Sequence, residues 1–233
     1  MTQHTILGDP PLTVHLRRSR RARRISLRVS RLDGKITLTM PESVSKHEAI
    51  AFAEEKADWL RQHYSHIPVS IDVKLGIELP IFGRMREIVS VQGRKVELAE
   101  DYIGVPGSSK LVAARLQGYL KELARTRLSE AVEHYHGVLD RPFARLTLRD
   151  TRSRWGSCSS AGVLMFSWRL VMAPSDVLDY VAAHEVAHLA EMNHSQAFWN
   201  TVTLIHGPFD NPKSWLRNHG QELHRYRFTQ SKV

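Results

Sequence analysis

The five residues from His184 to His188 read His-Glu-Val-Ala-His, and they constrain the fold more than any other part of the sequence. They lie in a stretch from Ser175 to about Met192 whose apolar positions predict one helix. Residues four apart share one face of a helix, so both imidazoles would point toward a single ion. Glu185 follows the first histidine, which places its carboxylate beside that ion without binding it. The pattern predicts a helix that carries a metal site with Glu185 as its general base.

A third ligand is needed, because a catalytic zinc site usually has three protein ligands and a water. His194 lies six residues after His188 and is the natural third ligand. Asn193 precedes it and tolerates the left-handed conformation that ends helices, so the chain could turn there. The spacing equals that of metzincin peptidases, but Glu191 stands where those have a glycine, so the turn must be made differently. The predicted ligands of one Zn²⁺ per chain are His184, His188 and His194.

The competing interpretation is a helix with two histidines and a glutamate on a partly exposed face, since so short a motif occurs by chance. Its neighbours Val181, Ala182, Ala187 and Leu189 are apolar, which indicates a buried helix. Together with the third histidine, this favours a metal site.

The whole chain predicts an α+β fold. Residues 1–107 are expected to form a β-rich N-terminal subdomain, and 108–228 a helical zincin-type metallohydrolase core with a small antiparallel sheet, followed by a tail over 229–233. The elements predicted are a β-hairpin over 24–40, a helix over 46–63, a small antiparallel sheet over 71–106, a helix over 110–136 and strands over 144–150 and 163–171. Asp33-Gly34 is the turn signal of the hairpin, and in the small sheet Ile88–Val91 and Lys95–Leu98 flank a turn at Gln92-Gly93-Arg94. Gly137 can end the helix over 110–136, and Ser175 is the expected cap of the helix that carries the motif.

Composition is that of a soluble globular protein, with 42% hydrophobic and 24% charged residues among 233. Cys158 is the single cysteine, so an intrachain disulfide cannot form. Residues 1–11 lack the apolar core of a signal peptide, and no apolar run reaches the ~18 residues of a membrane helix. We therefore expect a cytoplasmic protein without a membrane partner.

Positive charge is concentrated at the N-terminus. The net charge is +9, and residues 1–40 hold nine Lys/Arg against two acids. Such a segment attracts nucleic acid, a nucleotide or an acidic partner, with Arg20, Arg21, Arg23 and Arg24 as candidate anion-binding residues. It equally suits the solvated face of a strand. The segment lacks the interleaved aromatic residues of a single-strand binding surface.

Several residues near the motif have both a functional and a structural interpretation. Arg154 could hold a substrate carboxylate or stabilise an oxyanion, and Trp155 either lines the cleft or packs on the helix. Asn193 and Ser195 are candidates to orient His194.

Other candidates are weaker. Cys158 is a candidate ligand but is more typical of a small buried hydrophobe. His206, His219 and His224 are candidate transition-state groups or ordinary histidines. The strand over 163–171 is a candidate edge for pairing with a peptide.

Two segments together resemble a known family. Residues 183–199 read Ala-His-Glu-Val-Ala-His-Leu-Ala-Glu-Met-Asn-His-Ser-Gln-Ala-Phe-Trp, and residues 154–159 read Arg-Trp-Gly-Ser-Cys-Ser. Both are similar to signatures of the YgjP-like metallopeptidases, as is the arginine-rich segment from Arg17 to Val29. The resemblance implies a gluzincin-like zinc peptidase fold related to the SprT-like proteases. It also implies three histidine ligands, at 184, 188 and 194, and a catalytic Glu185.

The function expected from these observations is zinc-dependent hydrolysis of peptide bonds in a peptide or protein substrate. Glu185 would take a proton from the attacking water and return it to the leaving amine. One alternative is a zinc-dependent hydrolase of nucleotide phosphoanhydrides. The other is a nucleic-acid-associated protein with a structural zinc, although structural sites are usually closed by four ligands.

Overall fold

The computed structural model describes residues 2–30, 34–65 and 69–228. Helices and several small sheets alternate along the chain, which confirms the predicted α+β class. The chain divides into two compact units, residues 1–70 and 71–233. The predicted tail over 229–233 lies outside the described residues.

The first unit is a four-stranded sheet with two helices. Its elements are β1 (Thr2–Ile6), β2 (Leu12–Arg18), β3 (Ser26–Val29), β4 (Ile36–Met40), α1 (Lys46–Glu55) and α2 (Ala57–Ser65). The strand order is β1-β2-β4-β3, with β2 and β4 parallel and the other pairs antiparallel. Ser26 lies opposite Thr39 in the β3–β4 pair, as the predicted hairpin requires. Asp33 of its turn lies outside the described residues.

One face of this sheet is buried and the other is open. Leu12, Val14 and Leu16 alternate with polar residues along β2 and are buried. They share a core cluster with residues of β4 and with Ala53 and Leu60 of the helices. The predicted single helix over 46–63 is broken at Lys56, where α1 ends. Ser45 caps α1, since its Oγ accepts a hydrogen bond from the Glu48 amide at 3.1 Å.

The second unit begins with short strands. They are β5 (Ile71–Asp72), β6 (Glu78–Ile81), β7 (Arg84–Val91), β8 (Glu97–Leu98) and β9 (Tyr102–Pro106). The sheet order β6-β7-β9-β8 includes a parallel pair, β7 with β9, so the predicted all-antiparallel sheet is wrong in this detail. The expected pairing of Ile88–Val91 with Lys95–Leu98 does not form. Strand β9 pairs with β7 instead, and Gly104 fits beside Val91 there, since a Cβ at position 104 would lie 2.6 Å from Val91 Cγ1.

These strands belong to the second unit, whereas the sequence placed the boundary at 107/108. Leu79, Ile88 and Ile103 lie in the same core cluster as Leu116 and Leu120 of the long helix that follows. The shared apolar core joins residues 71–107 to the rest of the second unit.

The remaining elements build the part that holds the predicted motif. They are α3 (Val112–Leu139), β10 (Arg145–Arg149), β11 (Gly156–Cys158), β12 (Val163–Ser167), a 3₁₀ turn (Trp168–Met172), α4 (Ser175–Ala187), α5 (Gln196–His206), α6 (Asp210–His219), a second 3₁₀ turn (Gly220–His224) and β13 (Tyr226–Arg227). The helix α3 ends at Asp140, which has a left-handed conformation (φ 51°, ψ 47°), and Gly137 lies within the helix. The helix α4 packs against α3, α5, α6 and β11. No helix in the described ranges combines the length and apolarity needed to cross a membrane.

Candidate metal centre

The helix α4 carries His184 and Glu185 into the interior of the second unit. Most of its residues are buried, including Val181, Ala182 and Ala183, so its position is fixed by packing on more than one side. It begins after Pro174 without a side-chain cap, and Ser175 is its first residue rather than its cap. Helical spacing places His188 one turn after His184, with 5.1 Å between their ring centroids.

A tight turn brings the third histidine back to the first two. The helix ends at Ala187, five residues earlier than predicted, and the amides of Leu189 and Ala190 each bond to the carbonyl three residues back. Asn193 is not in a left-handed conformation, contrary to the sequence expectation. Its Oδ1 accepts a hydrogen bond from the Ser195 amide at 3.0 Å. A side-chain turn at Asn193 therefore takes the place of the glycine turn of metzincin peptidases.

The three imidazoles converge as the ligands of one ion would. His194 Nε2 lies 3.1 Å from His184 Nε2, and one ligand nitrogen from each of the three lies within 4.8 Å of the others. Two nitrogens that share a tetrahedral zinc at ~2.0–2.1 Å are about 3.3 Å apart. Within the described part of the chain, His184, His188 and His194 form the one cluster of this kind. The donor set therefore fits zinc.

Neighbouring groups set the orientation of the rings. His188 is 8% exposed, and its Nδ1 donates to the Glu191 carbonyl at 2.9 Å. That bond leaves Nε2 of His188 unprotonated and directed at the cluster. Phe198 lies against all three rings, with centroid distances between 4.4 and 4.9 Å. Burial, with His188 and His194 nearby, lowers the pKa of His184 to about 3, so its imidazole is neutral as a metal ligand must be.

Glu185 is held beside the cluster in a buried position. It is 6% exposed, and this burial raises the pKa of its carboxyl to about 7, against the opposing effects of Arg154 and a backbone N–H. That N–H belongs to Cys158 and donates to the carboxylate. A bound cation would act in the same direction as Arg154. The carboxylate is therefore held by the Cys158 N–H and largely shielded from solvent.

Gly156 allows strand β11 to approach the Glu185 carboxylate closely. A Cβ at this position would lie 2.5 Å from Glu185 Cγ and from Oε1. The φ of Gly156 is not in the left-handed region, so the glycine is required for space and not for a turn. Sequence reasoning missed this contact because it joins residues far apart in the chain.

The other residues of the two sequence motifs either line the cleft beside the histidines or stabilise the surrounding structure. Arg154 lines an open cleft of about 550 Å³ together with the three histidines and Glu185. Trp155 lies elsewhere, with its ring 5.1 Å from that of His224 and packed against Gly220. Ser195 caps α5, since its Oγ accepts from the Phe198 amide at 3.4 Å. Asn193 and Ser195 thus fix the turn on either side of His194.

The weaker candidates lie outside the histidine cluster. Cys158 lines the cleft, but its Sγ donates to the Ser159 carbonyl, and burial raises the pKa of the thiol to about 11. His206 packs between Tyr135 and Tyr180, while His219 faces Glu222. His224 packs on Trp155.

The strand beside the cleft is β11, and not the one expected. The three-stranded sheet has the order β10-β12-β11, so Val163–Ser167 is central and cannot be the edge that accepts a peptide. Ser167 N donates to Trp155 O, and Ser159 N to Val163 O. Backbone groups alternate along an antiparallel strand, so those of Gly156 and Cys158 face away from β12. Of the two edge strands, β10 and β11, it is β11 that lines the cleft.

With Glu185 as the general base of a hydrolase, Gly156→Ala would lower kcat roughly 100-fold, the typical cost of displacing a reacting group by about 1 Å. The added methyl must push Glu185 away, whereas the three histidines are untouched, so zinc content should stay at the wild-type value. The matched control is Gly118→Ala in α3, where a Cβ meets nothing within 4 Å. That variant should keep full activity and gain about 0.5–1 kcal/mol of stability. Wild-type kcat in Gly156→Ala would refute the assigned contact.

Comparison with known proteins gives one match. The model of the YgjP-like family, described as its metallopeptidase domain, matches residues 23–219. Neither the curated proteins nor the solved structures gave a match. The matched range contains the histidine cluster, Glu185 and the strand that contacts it. With most of its length covered by this match, the chain belongs to the YgjP-like metallopeptidase family.

Proposed function

We propose that this protein is a zinc-dependent metallopeptidase in which His184, His188 and His194 hold the ion and Glu185 is the general base. The observation that carries the proposal is the convergence of three imidazoles beside a buried carboxylate, with 3.1 Å between the Nε2 atoms of His184 and His194. Three ligands leave a fourth position for water, which is typical of catalytic and not of structural zinc.

Each residue of the site has a distinct part in this reaction. When bound, zinc supplies Lewis-acid chemistry, because it lowers the pKa of water to about 7 and polarises a carbonyl. Glu185 accepts the proton of the attacking water and delivers it to the nitrogen of the leaving amine. Cys158 N–H and Gly156 hold its carboxylate in place. Arg154 lines the cleft as the cationic group that can stabilise developing negative charge.

The shape and charge of the cleft favour a peptide over a nucleotide. A second cleft of about 540 Å³, lined by residues of 142–144 and 159–162, shares His188 and Met192 with the first. The second cleft therefore continues the first beyond His188 and Met192. Among the described residues that line it, Arg154 is the one lysine or arginine. A nucleoside triphosphate would need more cationic contacts, whereas an extended peptide can pair with the edge of β11.

The test is a substrate panel on zinc-loaded protein. Casein and a mixed peptide library are compared with the four nucleoside triphosphates, and new amino termini and released phosphate or pyrophosphate are measured. We expect peptide cleavage that disappears in Glu185→Gln. Phosphoanhydride hydrolysis that depends on Glu185, with peptides left intact, would contradict the proposal and favour the nucleotide alternative.

A further inference from the structure

The first unit has a sheet face that is basic and polar throughout. The strands β1 to β4 contain no aspartate or glutamate. With the apolar side chains in the core, the exposed positions on the open face of these strands carry hydroxyl, amide and guanidinium groups: Gln3, Thr5, Thr13, Arg17, Ser26 and Arg28. Strand register places Arg28 opposite Thr37, which in turn lies opposite His15, so these groups form rows across the face.

Six arginines collect at the end of this face where β2 and β4 stop, which we call the arginine edge. The loop from Ser19 to Ile25 joins β2 to β3 at the edge where β4 also ends, since Ser19 N donates to the Met40 carbonyl at 3.0 Å. The residues from Arg17 to Arg24 contain these six arginines and no acid.

One acidic residue, Glu42, follows β4 at the same edge. Its carboxylate accepts from Arg20 Nε at 3.1 Å, and its carbonyl accepts from Arg18 at 2.8 Å. Five other arginines make no hydrogen bond or ion pair with any residue in the described ranges: Arg17, Arg21, Arg23, Arg24 and Arg28. Of the four arginines named from the sequence, Arg20 is thus engaged and three are free to bind an anion.

The chemistry of this surface fits phosphate. Arginine is planar and binds phosphate through two parallel N–H donors, and no lysine stands among residues 17–24. Hydroxyl and amide side chains such as those of Thr13, Ser26 and Gln3 are the usual partners of nucleic-acid phosphate and sugar. The exposed strand positions hold no apolar side chain that could enter a membrane or anchor a protein partner. A repeating phosphate backbone is therefore the occupant that matches.

The composition of this surface fits duplex nucleic acid better than a single strand. Proteins that bind single strands stack the bases on successive aromatic rings. No Phe, Tyr or Trp occurs in residues 12–30 or 34–40. Tyr64 lines a pocket with Thr13 and His15 at the opposite edge, and one ring does not make a stacking surface.

We propose that the open face of the β1–β4 sheet and its arginine edge bind the phosphate backbone of duplex nucleic acid. All the residues that would make this interaction belong to the first unit. Binding through the five unpaired arginines gives a slope of log K against log salt of about −4.5, which is roughly a 500-fold loss of affinity between 50 and 200 mM salt. With only Arg28 left, the same change in salt costs roughly 3- to 4-fold.

The experiment is a fluorescence anisotropy titration of the full-length protein with a 24-base-pair DNA duplex, the same sequence in RNA, and the single strand. The test variant replaces Arg17, Arg21, Arg23 and Arg24 by glutamine. The control variant removes the same charge from exposed residues of the second unit, Arg94, Lys95, Lys110 and Lys121. Circular dichroism and zinc content show that each variant is folded.

The expected result is duplex binding with the steep salt dependence, lost in the test variant and kept in the control. Equal weakening in both variants would mean that net charge alone drives the association, which overturns the proposal. Absence of duplex binding at 50 mM salt, or tighter binding of the single strand, would also overturn it.

Discussion

Glu185→Gln is expected to lower kcat for peptide hydrolysis by about 10²–10⁴-fold, the range that a general base contributes. Glutamine has the same shape and stays within reach of the Cys158 N–H, but its amide cannot accept the proton of the attacking water. The carboxylate is not among the three ligands in the cluster, so bound zinc should remain near the wild-type amount. The loss should appear in kcat more than in KM.

The measurement is steady-state kinetics on a cleaved peptide, with zinc content determined on the same samples. The matched control is Glu122→Gln on the exposed surface of α3, which makes the same chemical change far from the chemistry and should leave kcat unchanged. If Glu185→Gln keeps full turnover, then the general base has been assigned to the wrong residue. If it loses zinc in proportion to activity, then the carboxylate is a ligand instead.

His188→Ala is expected to weaken zinc binding more than 100-fold and to abolish hydrolysis. Removing a partner outside the ligand shell already costs 10–100-fold in affinity, and here a ligand itself is removed. Because His188 is buried, the variant also leaves a space in the core. His194→Ala separates the two effects, since His194 is exposed and its removal costs little packing.

Zinc content by mass spectrometry and competition with a chelator give the affinities. His219→Ala is the control, because His219 is an exposed histidine that faces Glu222 and lies outside the cluster. Both ligand variants should lose zinc while remaining folded, and the control should keep about one zinc per chain. Zinc retained in His194→Ala at wild-type affinity would mean that the third ligand is another residue.

The sequence predicts the composition of this site better than its geometry. Helical spacing alone puts His184 and His188 on one face, because that relation is local. The return of His194 depends on Asn193, which bonds the Ser195 amide instead of adopting a left-handed conformation. Asparagine can make such a turn with a left-handed backbone or with its side chain as hydrogen-bond acceptor, and residue preferences do not distinguish the two.

Tertiary contacts account for the remaining differences. The proximity of Gly156 to Glu185 brings together residues 29 positions apart, and no local pattern reports it. The parallel pairing of β7 with β9 likewise depends on the space left by Gly104 beside Val91, and the local turn signal at Gly93 favours a hairpin that does not form. The α+β class and most helices follow from periodicity, which is a property of short segments.

X-ray absorption at the zinc edge shows whether three imidazoles of this chain bind one zinc ion. The measurement is made on the purified, zinc-loaded wild-type protein at one equivalent. We expect a first shell of nitrogen and oxygen at about 2.0–2.1 Å with imidazole scattering from three histidines. A sulfur contribution at about 2.3 Å would assign Cys158 as a ligand, and a shell without imidazole scattering would contradict the proposed centre altogether.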